Sequence, residues 1–227
     1  HRNYGELPVT EIISRSSNVG VSLIANDIGG DVLRDFYFRL GLGQPTGIGF
    51  PGEAVGVLPM TDKWRPVEEA TLSYGYGMSV NALQLAQAYM AVANGGIRYP
   101  VSVMRRDEPP VGERVLSETV AAQVRDMLQA VVEEGTGKRA NPALYTAGGK
   151  TGTVHLVGAR GYEDSQYKAI FAGMAPMDNP RIVTVVAVDA PQGGDYYGGE
   201  VAAPVFARVM SDALRLLNVR PELTAAD

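Results

Sequence analysis

The most informative stretch of this chain spans residues 148–153 and has the sequence Gly148-Gly149-Lys150-Thr151-Gly152-Thr153. It combines one fixed cation, two hydroxyl groups and several positions without a side chain. This composition is unusual for a core strand, but it is expected of a strand that lies beside an anionic substrate. Thr151 and Thr153 face the same side, because successive strand residues alternate, and both can donate to a carboxylate. The stretch predicts an anion-binding strand, with Gly152 letting a ligand or a second backbone come close.

Two other interpretations of this stretch are possible. One is an ordinary strand with a glycine kink and exposed Lys and Thr side chains, and it stays open at this point. The other is a phosphate-binding loop, because Gly149-Lys150-Thr151 matches the end of G-x-x-x-x-G-K-[ST]. That loop would need a glycine where the chain has Leu144, and a helix after it. The phosphate loop is therefore excluded.

The spacing of apolar residues changes from helical to strand-like near this stretch. Residues 1–140 are predicted to be mostly helical, and residues 141–227 to form a three-stranded antiparallel meander followed by a terminal helix. The strands are expected at residues 150–157, 166–175 and 181–189. The pattern therefore indicates an α+β fold.

Local signals place several helix ends in the first part of the chain. Ser79 and Ser117 each precede a helical pattern and are predicted N-caps. A further helix is expected to follow Ser16-Ser17-Asn18 and to end at Gly29-Gly30. Its inward face is predicted from the helical spacing of four apolar residues: Val21, Ile24, Ala25 and Ile28.

Composition excludes several classes of function. The chain has 227 residues and a net charge of −5 with both signs interspersed, so no basic stripe is available to neutralise nucleic-acid phosphates. It has no cysteine and only two histidines, which excludes a Cys/His zinc site and leaves no metal site to predict. No apolar run is long enough to cross a bilayer. The chain begins at His1 without an initiator Met, so it is expected to be a piece of a longer protein.

The cluster Ser16-Ser17-Asn18 has two interpretations. Its residue types are those of a helix N-cap, and by itself that structural interpretation is the more common one. The functional interpretation needs a Ser hydroxyl and an Asn amide on one turn, both facing a cleft. The hydroxyl could then pass a proton, and the amide could hold a substrate carbonyl or N–H group.

Taken together, the two motifs resemble signatures of the penicillin-recognising serine enzymes, S-x-N as Ser16-Ser17-Asn18 and K-T-G as Lys150-Thr151-Gly152. The resemblance extends over essentially the whole chain and is strongest to class B penicillin-binding proteins of the cell-division type, the penicillin-binding protein 3 group of Gram-negative bacteria. Three further segments carry it: Gly49-Phe50-Pro51-Gly52-Glu53, Tyr74-Gly75-Tyr76-Gly77 and Gly198-Gly199-Glu200.

The resemblance implies the penicillin-binding/β-lactamase-like transpeptidase fold, an antiparallel sheet covered by helices plus a mostly helical subdomain. Residues 1–227 are then the C-terminal part of one transpeptidase domain. The family's nucleophile motif S-x-x-K does not precede Ser16, so it is expected in a preceding segment, with the first two strands of a five-stranded sheet. One S-x-x-K match, Ser165-Gln166-Tyr167-Lys168, lies in a predicted strand and is interpreted as a chance match.

The resemblance also implies an activity and a role for each motif residue. The reaction is peptidoglycan D,D-transpeptidation, in which stem peptides ending in D-Ala–D-Ala are crosslinked, without a cofactor, and β-lactams acylate the same serine. Ser16 would relay a proton and Asn18 would hold the substrate amide. Lys150, staying cationic, would hold Ser16. Thr151 and Thr153 would bind the terminal carboxylate, and the Thr153 N–H group would complete an oxyanion hole.

Several aromatic residues are further candidates by the same resemblance. Tyr167, Tyr196 and Tyr197 are expected to form an apolar wall beside the site, with ordinary core or surface tyrosines as the alternative. His155 stands where division-type relatives often carry Arg, and either contacts the substrate or is a solvated strand residue. Tyr76 either lines the cleft or stabilises its turn.

The implied partners are stem peptides, β-lactam antibiotics, and a septal glycosyltransferase with other divisome proteins, but no nucleic acid. The implied location is the periplasmic side of the bacterial inner membrane, with a single-pass anchor outside this chain. Two alternatives stay open. One is a catalytically silent relative that acts as a division scaffold or β-lactam sensor. The other is a D,D-carboxypeptidase or β-lactamase, although no Glu is identifiable as its deacylating base.

Overall fold

The computed structural model describes residues 4–61, 63–158 and 161–223 of the chain. For residues 157–158 and 161–165 it describes the backbone alone. The chain divides into two compact units, His1–Ala121 and Ala122–Asp227, and each is described by itself. No helix in the described ranges is both long and apolar enough to cross a membrane.

The first unit is built from helices and one small ribbon. Its helices are α1 (Val9–Ser14), α2 (Asn18–Ile28), α3 (Gly30–Arg39), α4 (Pro66–Ser73) and α5 (Ala82–Ala93), and α6 (Glu118–Glu133) begins within it. The ribbon pairs β1 (Ile97–Arg98) with β2 (Glu113–Arg114) in antiparallel fashion.

Helix α2 begins and ends where its sequence predicts, but its inward face is different. The Ser17 hydroxyl accepts from the Gly20 amide at 3.1 Å, which caps the helix, and Gly29 follows its last residue. Of the four residues predicted to face inward, only Ala25 is buried, whereas Ile24 and Ile28 are 37% and 44% exposed. The reason is the close approach of α4, which packs against small residues of α2. The Ser22 hydroxyl there lies 3.5 Å from the Ala70 carbonyl.

Two predicted caps had different outcomes. The Ser117 hydroxyl accepts from the Val120 amide at 3.2 Å at the start of α6, which confirms that cap. The prediction for Ser79 is wrong, because Asn81 caps α5 in a reciprocal pair with Gln84. An Asn–Gln capping box satisfies two backbone N–H groups, whereas a Ser two residues earlier would satisfy one. Ser79 instead forms an antiparallel bridge with Val57.

The second unit is a three-stranded antiparallel sheet with helices packed against it. β3 (Gly148–Gly158) and β5 (Ile182–Asp189) lie at the edges, and β4 (Gly161–Ala175) lies between them. The three predicted strands are therefore confirmed, and β3 is an edge strand among the described residues. A 3-10 turn (Lys138–Ala140), α7 (Gly198–Val201) and α8 (Ala203–Leu216) complete the unit.

The core of this unit lies between the sheet and α8. Phe171 of β4 packs against Phe206 of α8 with ring centroids 4.7 Å apart, and both rings are fully buried. Met210 and Leu214 extend the contact along the helix, and each is 0% exposed. The spacing of these buried residues on α8 is that of one helix face. Because Phe171 pairs with Thr151 in the β3–β4 register, the core also fixes the strand on which the candidate site lies.

Truncating this core should be costly. Phe206→Ala should lower the free energy of unfolding by about 3–5 kcal/mol, because it removes a fully buried ring and leaves a cavity. Leu216→Ala on the same helix is the matched control: its side chain is 78% exposed, so its effect should stay within about 0.5 kcal/mol. Urea unfolding measures both. Equal effects of the two substitutions would show that α8 does not pack as described.

Candidate active site

Lys150 lies on the edge strand β3, and its charge is held close to the strand. Its Nζ atom donates to the Thr151 carbonyl at 3.0 Å and to the Thr151 hydroxyl at 3.1 Å. Burial lowers the pKa of Lys150 to about 8, because the charged form is less well solvated. An ammonium group with this pKa is still mostly protonated at neutral pH. It can therefore attract an anion to the strand.

The two threonine hydroxyls of β3 lie on one side of the strand, as the alternation predicts. Thr151 is paired with Phe171 and Thr153 with Ala169, so both share the sheet face that α8 covers. The Thr151 hydroxyl lies 3.0 Å from the Thr136 hydroxyl. The Thr153 hydroxyl accepts from the Gly198 amide at 3.0 Å. Both hydroxyls are thus fixed by residues from outside the strand.

Gly152 lies between these threonines, and a methyl group built on it would point to the opposite sheet face and contact the Ile170 side chain at 3.4 Å, an ordinary distance. The backbone of Gly198 approaches so closely that a methyl group built on Gly198 would lie 2.5 Å from the Gly152 carbonyl oxygen. The sequence left open whether a ligand or a backbone uses this space. Gly198 approaches the peptide group of Gly152 from the other face, the one that Thr151 and Thr153 share, so this question stays open.

The four aromatic candidates of this unit form one continuous stack. His155 and Tyr167 are cross-strand partners with ring centroids 4.3 Å apart. Tyr167 stacks on Tyr196 at 4.0 Å with an interplanar angle of 16°, and Tyr196 contacts Tyr197 at 4.4 Å. The Tyr196 hydroxyl also donates to that of Tyr197 at 3.1 Å. His155 and Tyr197 are exposed, so the stack presents an aromatic surface beside the threonine strand.

In the first unit, the structure separates the capping role from Ser16 and Asn18. The neighbouring Ser17 provides the cap of α2, so the helix does not need the Ser16 side chain for that purpose. Ser16 has a φ of 55°, a left-handed conformation that is uncommon for a residue other than glycine. Such conformations persist where the surroundings enforce them, and they are frequent at functional sites. Ser16, Ser17 and Asn18 line an open cleft of about 870 Å³.

Tyr76 lies elsewhere in this unit. Its ring contacts that of Tyr74 edge to face at 5.8 Å, and its amide donates to the Thr71 carbonyl at 3.0 Å. It lines a cleft together with Trp64, not the one that Ser16 lines. Its described contacts are those of a turn residue.

The S-x-x-K match at residues 165–168 lies in β4, as its sequence context predicts. Lys168 is paired with Asp189 of β5, and its Nζ atom lies 2.8 Å from the Asp189 carboxylate. The Ser165 side chain lies outside the described residues. A strand cannot bring Ser165 and Lys168 onto one side, because residues three positions apart face opposite ways.

Two residues of the second unit were not predicted from the sequence. Thr136 contacts the Thr151 hydroxyl, and the Gly198 amide holds the Thr153 hydroxyl. Thr136 lies in a glycine-containing turn, and Gly198 begins α7 directly after a glycine-containing loop. The only sequence signal for either was the turn composition itself. Within the described ranges, no three Asp, Glu or His side chains come together as a metal site would require.

Comparison with known proteins gives a consistent result. Residues 1–211 match the family model described as penicillin binding protein transpeptidase domain. The chain is 42% identical to peptidoglycan D,D-transpeptidase FtsI of Escherichia coli, over 99% of this chain and 38% of that protein. It is 40% identical to the probable peptidoglycan D,D-transpeptidase PenA of Neisseria meningitidis, over 98% of this chain and 39% of that protein. The chain thus spans about two fifths of the length of these curated relatives.

A solved structure agrees with these relatives. The apo structure of the TP domain from Burkholderia pseudomallei penicillin-binding protein 3 superposes with a TM-score of 0.91 at 46% identity, covering 98% of this chain and 68% of that one. The predicted α+β transpeptidase fold is therefore confirmed. With its S-x-N and K-T-G motifs in place on a matching fold, the chain belongs to the penicillin-binding protein transpeptidase domain family.

Proposed function

We propose that this chain supplies two of the motifs, S-x-N and K-T-G, that line the active site of a serine-type D,D-transpeptidase. The enzyme would crosslink peptidoglycan stem peptides. The observation that carries the proposal is the edge strand β3, which carries a half-buried cation, Lys150, next to the fixed hydroxyls of Thr151 and Thr153. Membership of the transpeptidase family supports it, as do relatives named peptidoglycan D,D-transpeptidases. The nucleophile serine and its lysine are proposed to come from a preceding S-x-x-K segment of the same domain.

The proposed reaction begins with acylation of that serine. Serine is a poor nucleophile at its free pKa, so a neighbouring neutral lysine removes the hydroxyl proton as Oγ attacks the carbonyl between the two D-Ala residues. The carbonyl oxygen becomes an oxyanion, which two backbone N–H groups stabilise, that of Thr153 and that of the nucleophile serine. The C–N bond then breaks. Ser16 passes a proton to the leaving nitrogen, and D-Ala departs as the amine.

The second half of the reaction transfers the acyl group. The amine of another stem peptide attacks the ester carbonyl, a new C–N bond forms, and the serine oxygen leaves and regains a proton. One amide is broken and one is made, so no external energy source is needed. A β-lactam enters the same first step: the serine attacks the lactam carbonyl, the ring C–N bond opens, and the ring nitrogen takes the proton.

The remaining roles, which are substrate binding and electrostatic attraction, are proposed for residues of this chain. The Asn18 amide can hold the substrate amide, since it offers both donors and an acceptor. Lys150 stays cationic, holds Ser16 and attracts the substrate, whose terminal carboxylate is bound by the hydroxyls of Thr151 and Thr153. The stack from His155 through Tyr167, Tyr196 and Tyr197 then forms an apolar wall against the acyl side chain.

The cellular setting is part of the proposal. We place the activity on the periplasmic side of the inner membrane, in septal wall synthesis with a glycosyltransferase and other divisome proteins. The support is the resemblance to division-type proteins and the relative named FtsI. The membrane anchor is proposed to lie in a part of the protein other than residues 1–227.

A transfer assay tests the activity on the complete domain. A depsipeptide or thioester ending in D-Ala or its analogue should yield an acyl product on an added D-amino acid, and the transfer product should exceed the hydrolysis product. Hydrolysis alone would favour a carboxypeptidase or β-lactamase. The absence of both reactions, with β-lactam labelling intact, would favour the sensor.

The state of Lys150 gives a pH dependence. Its pKa of about 8 means that the cation is present below that pH and is lost as the pH rises through it. Acylation by a carboxylate-bearing penicillin should therefore fall above about pH 8, because the attraction to the carboxylate disappears with the charge. Lys150→Arg keeps the charge at all these pH values, so this fall should flatten, although at a lower plateau. An unchanged alkaline limb in the Arg variant would assign the fall to another group.

A further inference from the structure

The backbone of Gly198 makes a specific contact with the proposed carboxylate site. Its amide donates to the Thr153 hydroxyl at 3.0 Å, across 45 positions of sequence. Gly198 is the first residue of α7, directly after Tyr197, so its amide is one that the short helix leaves unpaired. Donation to Thr153 satisfies that amide and joins the loop of the aromatic stack to β3.

This bond determines what the Thr153 hydroxyl can offer a ligand. A threonine hydroxyl has one proton and two lone pairs, and it rotates freely unless a partner fixes it. Because the Gly198 N–H group occupies a lone pair, the hydroxyl keeps its proton for another acceptor and turns that proton away from α7. The threonine is thereby prepared as a donor, which is what a carboxylate needs.

The contact requires glycine at this position. A methyl group on Gly198 would meet the carbonyl oxygens of Ile170 and Gly152, the latter at 2.5 Å. Those two residues are paired across β3 and β4, so both carbonyls belong to the sheet. Any side chain at Gly198 would therefore push α7 and its amide away from Thr153.

The same contact holds the aromatic stack. Tyr196 and Tyr197 immediately precede Gly198, and Tyr196 lies 4.0 Å from Tyr167 of β4. At the other side of Gly198, Glu200 forms an ion pair with Arg139. The loop is thus anchored on both sides of a buried glycine, and displacing Gly198 would move the wall and the hydroxyl together.

We infer that Gly198 is a positioning residue: its amide orients the Thr153 hydroxyl as a donor to the substrate carboxylate, and its lack of a side chain keeps the Tyr196–Tyr197 wall against β3. The inference rests on the proposed function, since it assigns Gly198 a part in recognising that carboxylate.

The test compares acylation of the complete domain by benzylpenicillin and by its methyl ester, which lacks the carboxylate. The preference for the acid over the ester is the readout, because a general loss of structure would slow both reactions. Gly198→Ala should reduce that preference about 10-fold or more, as losing a hydrogen bond to a charged group implies. Thr153→Val should reduce it similarly, and Thr153→Ser should retain it. The double variant Gly198→Ala with Thr153→Val should lose no more than either single variant.

A matched loop variant and a second readout separate this role from simple disturbance. Gly194→Ala strains the same loop, since Gly194 has a φ of 98°, but its methyl group points into open space. It should keep the acid preference. Independently of any reaction, the Gly198 amide should exchange its hydrogen at least about 10-fold faster in Thr153→Val than in Thr153→Ser, because the hydroxyl that protects it is absent.

Failures of the two proposals are distinguishable. If the unaltered domain is not acylated by benzylpenicillin, the proposed function is wrong. If it is acylated but Gly198→Ala keeps the acid preference, the positioning role is wrong and the function stands. If Gly198→Ala does not fold, the Thr153 pair decides, and equal hydrogen exchange of the Gly198 amide in the Val and Ser variants would overturn the inference.

Discussion

Lys150→Ala should slow β-lactam acylation of the complete transpeptidase domain by roughly 10²–10³-fold, the range found when one preorganised electrostatic donor is removed from an active site. The substitution removes the half-buried cation of β3. The attraction for the substrate carboxylate and the partner that we propose for Ser16 are lost with it. Folding should not account for the loss, because Lys150 is desolvated in the folded state and its removal relieves that cost. Stopped-flow labelling with a fluorescent penicillin measures the rate.

Lys168→Ala is the matched control for this prediction. Lys168 lies on the neighbouring strand and pairs with the exposed Asp189, an arrangement that contributes about 0–1 kcal/mol to stability. Its loss should leave the labelling rate within about twofold, as expected for a surface ion pair. A Lys150→Ala rate within a factor of ten of the unaltered protein would contradict the role given to Lys150.

Ser16→Ala should lower acylation by about 10²–10⁴-fold, the usual contribution of a positioned proton-transfer group. The expected cause is the loss of the hydroxyl that passes a proton to the leaving nitrogen. The effect should be larger for an amide substrate than for a thioester, because a thiolate leaves without needing that proton. Parallel rate measurements on the two substrate types measure this difference.

The adjacent serine supplies the control for Ser16. Ser17 caps α2 through the Gly20 amide, so Ser17→Ala should cost about 1 kcal/mol of stability. It should retain most of the acylation rate at temperatures where the protein is folded. The opposite pattern, with Ser17→Ala inactive and Ser16→Ala active, would contradict the proton-transfer role of Ser16.

Much of the fold was predictable because short-range rules govern it. The three strands and the Ser117 cap follow from alternation and from side-chain capping, which act over a few residues. The prediction of a cap at Ser79 was wrong because Asn81, two residues later, forms a better capping pair with Gln84. The prediction of the inward face of α2 was wrong for a different reason. Tertiary packing against α4 selects the side with Ser22 and Ala25, and periodicity alone does not reveal which partner will be present.

The site was predictable to the extent that its residues are neighbours in sequence. The residue types at Lys150, Thr151 and Thr153, close together on one predicted strand, were enough to indicate an anion-binding site. Thr136 and Gly198 could not be found in this way, because they belong to segments 15 and 45 residues away from their partners in the strand. What makes them relevant is a single hydrogen bond each, and hydrogen bonds between distant segments leave no periodic pattern.

The measurement that tests the central claim most directly is mass spectrometry of the complete domain after treatment with benzylpenicillin, followed by peptide mapping. The account predicts one adduct per molecule, on the serine of an S-x-x-K segment preceding residue 1, and a greatly reduced yield at short times in Lys150→Ala. An adduct on Ser165 or on any other residue within 1–227 would contradict it, because the K-T-G strand would then serve a different nucleophile from the one proposed.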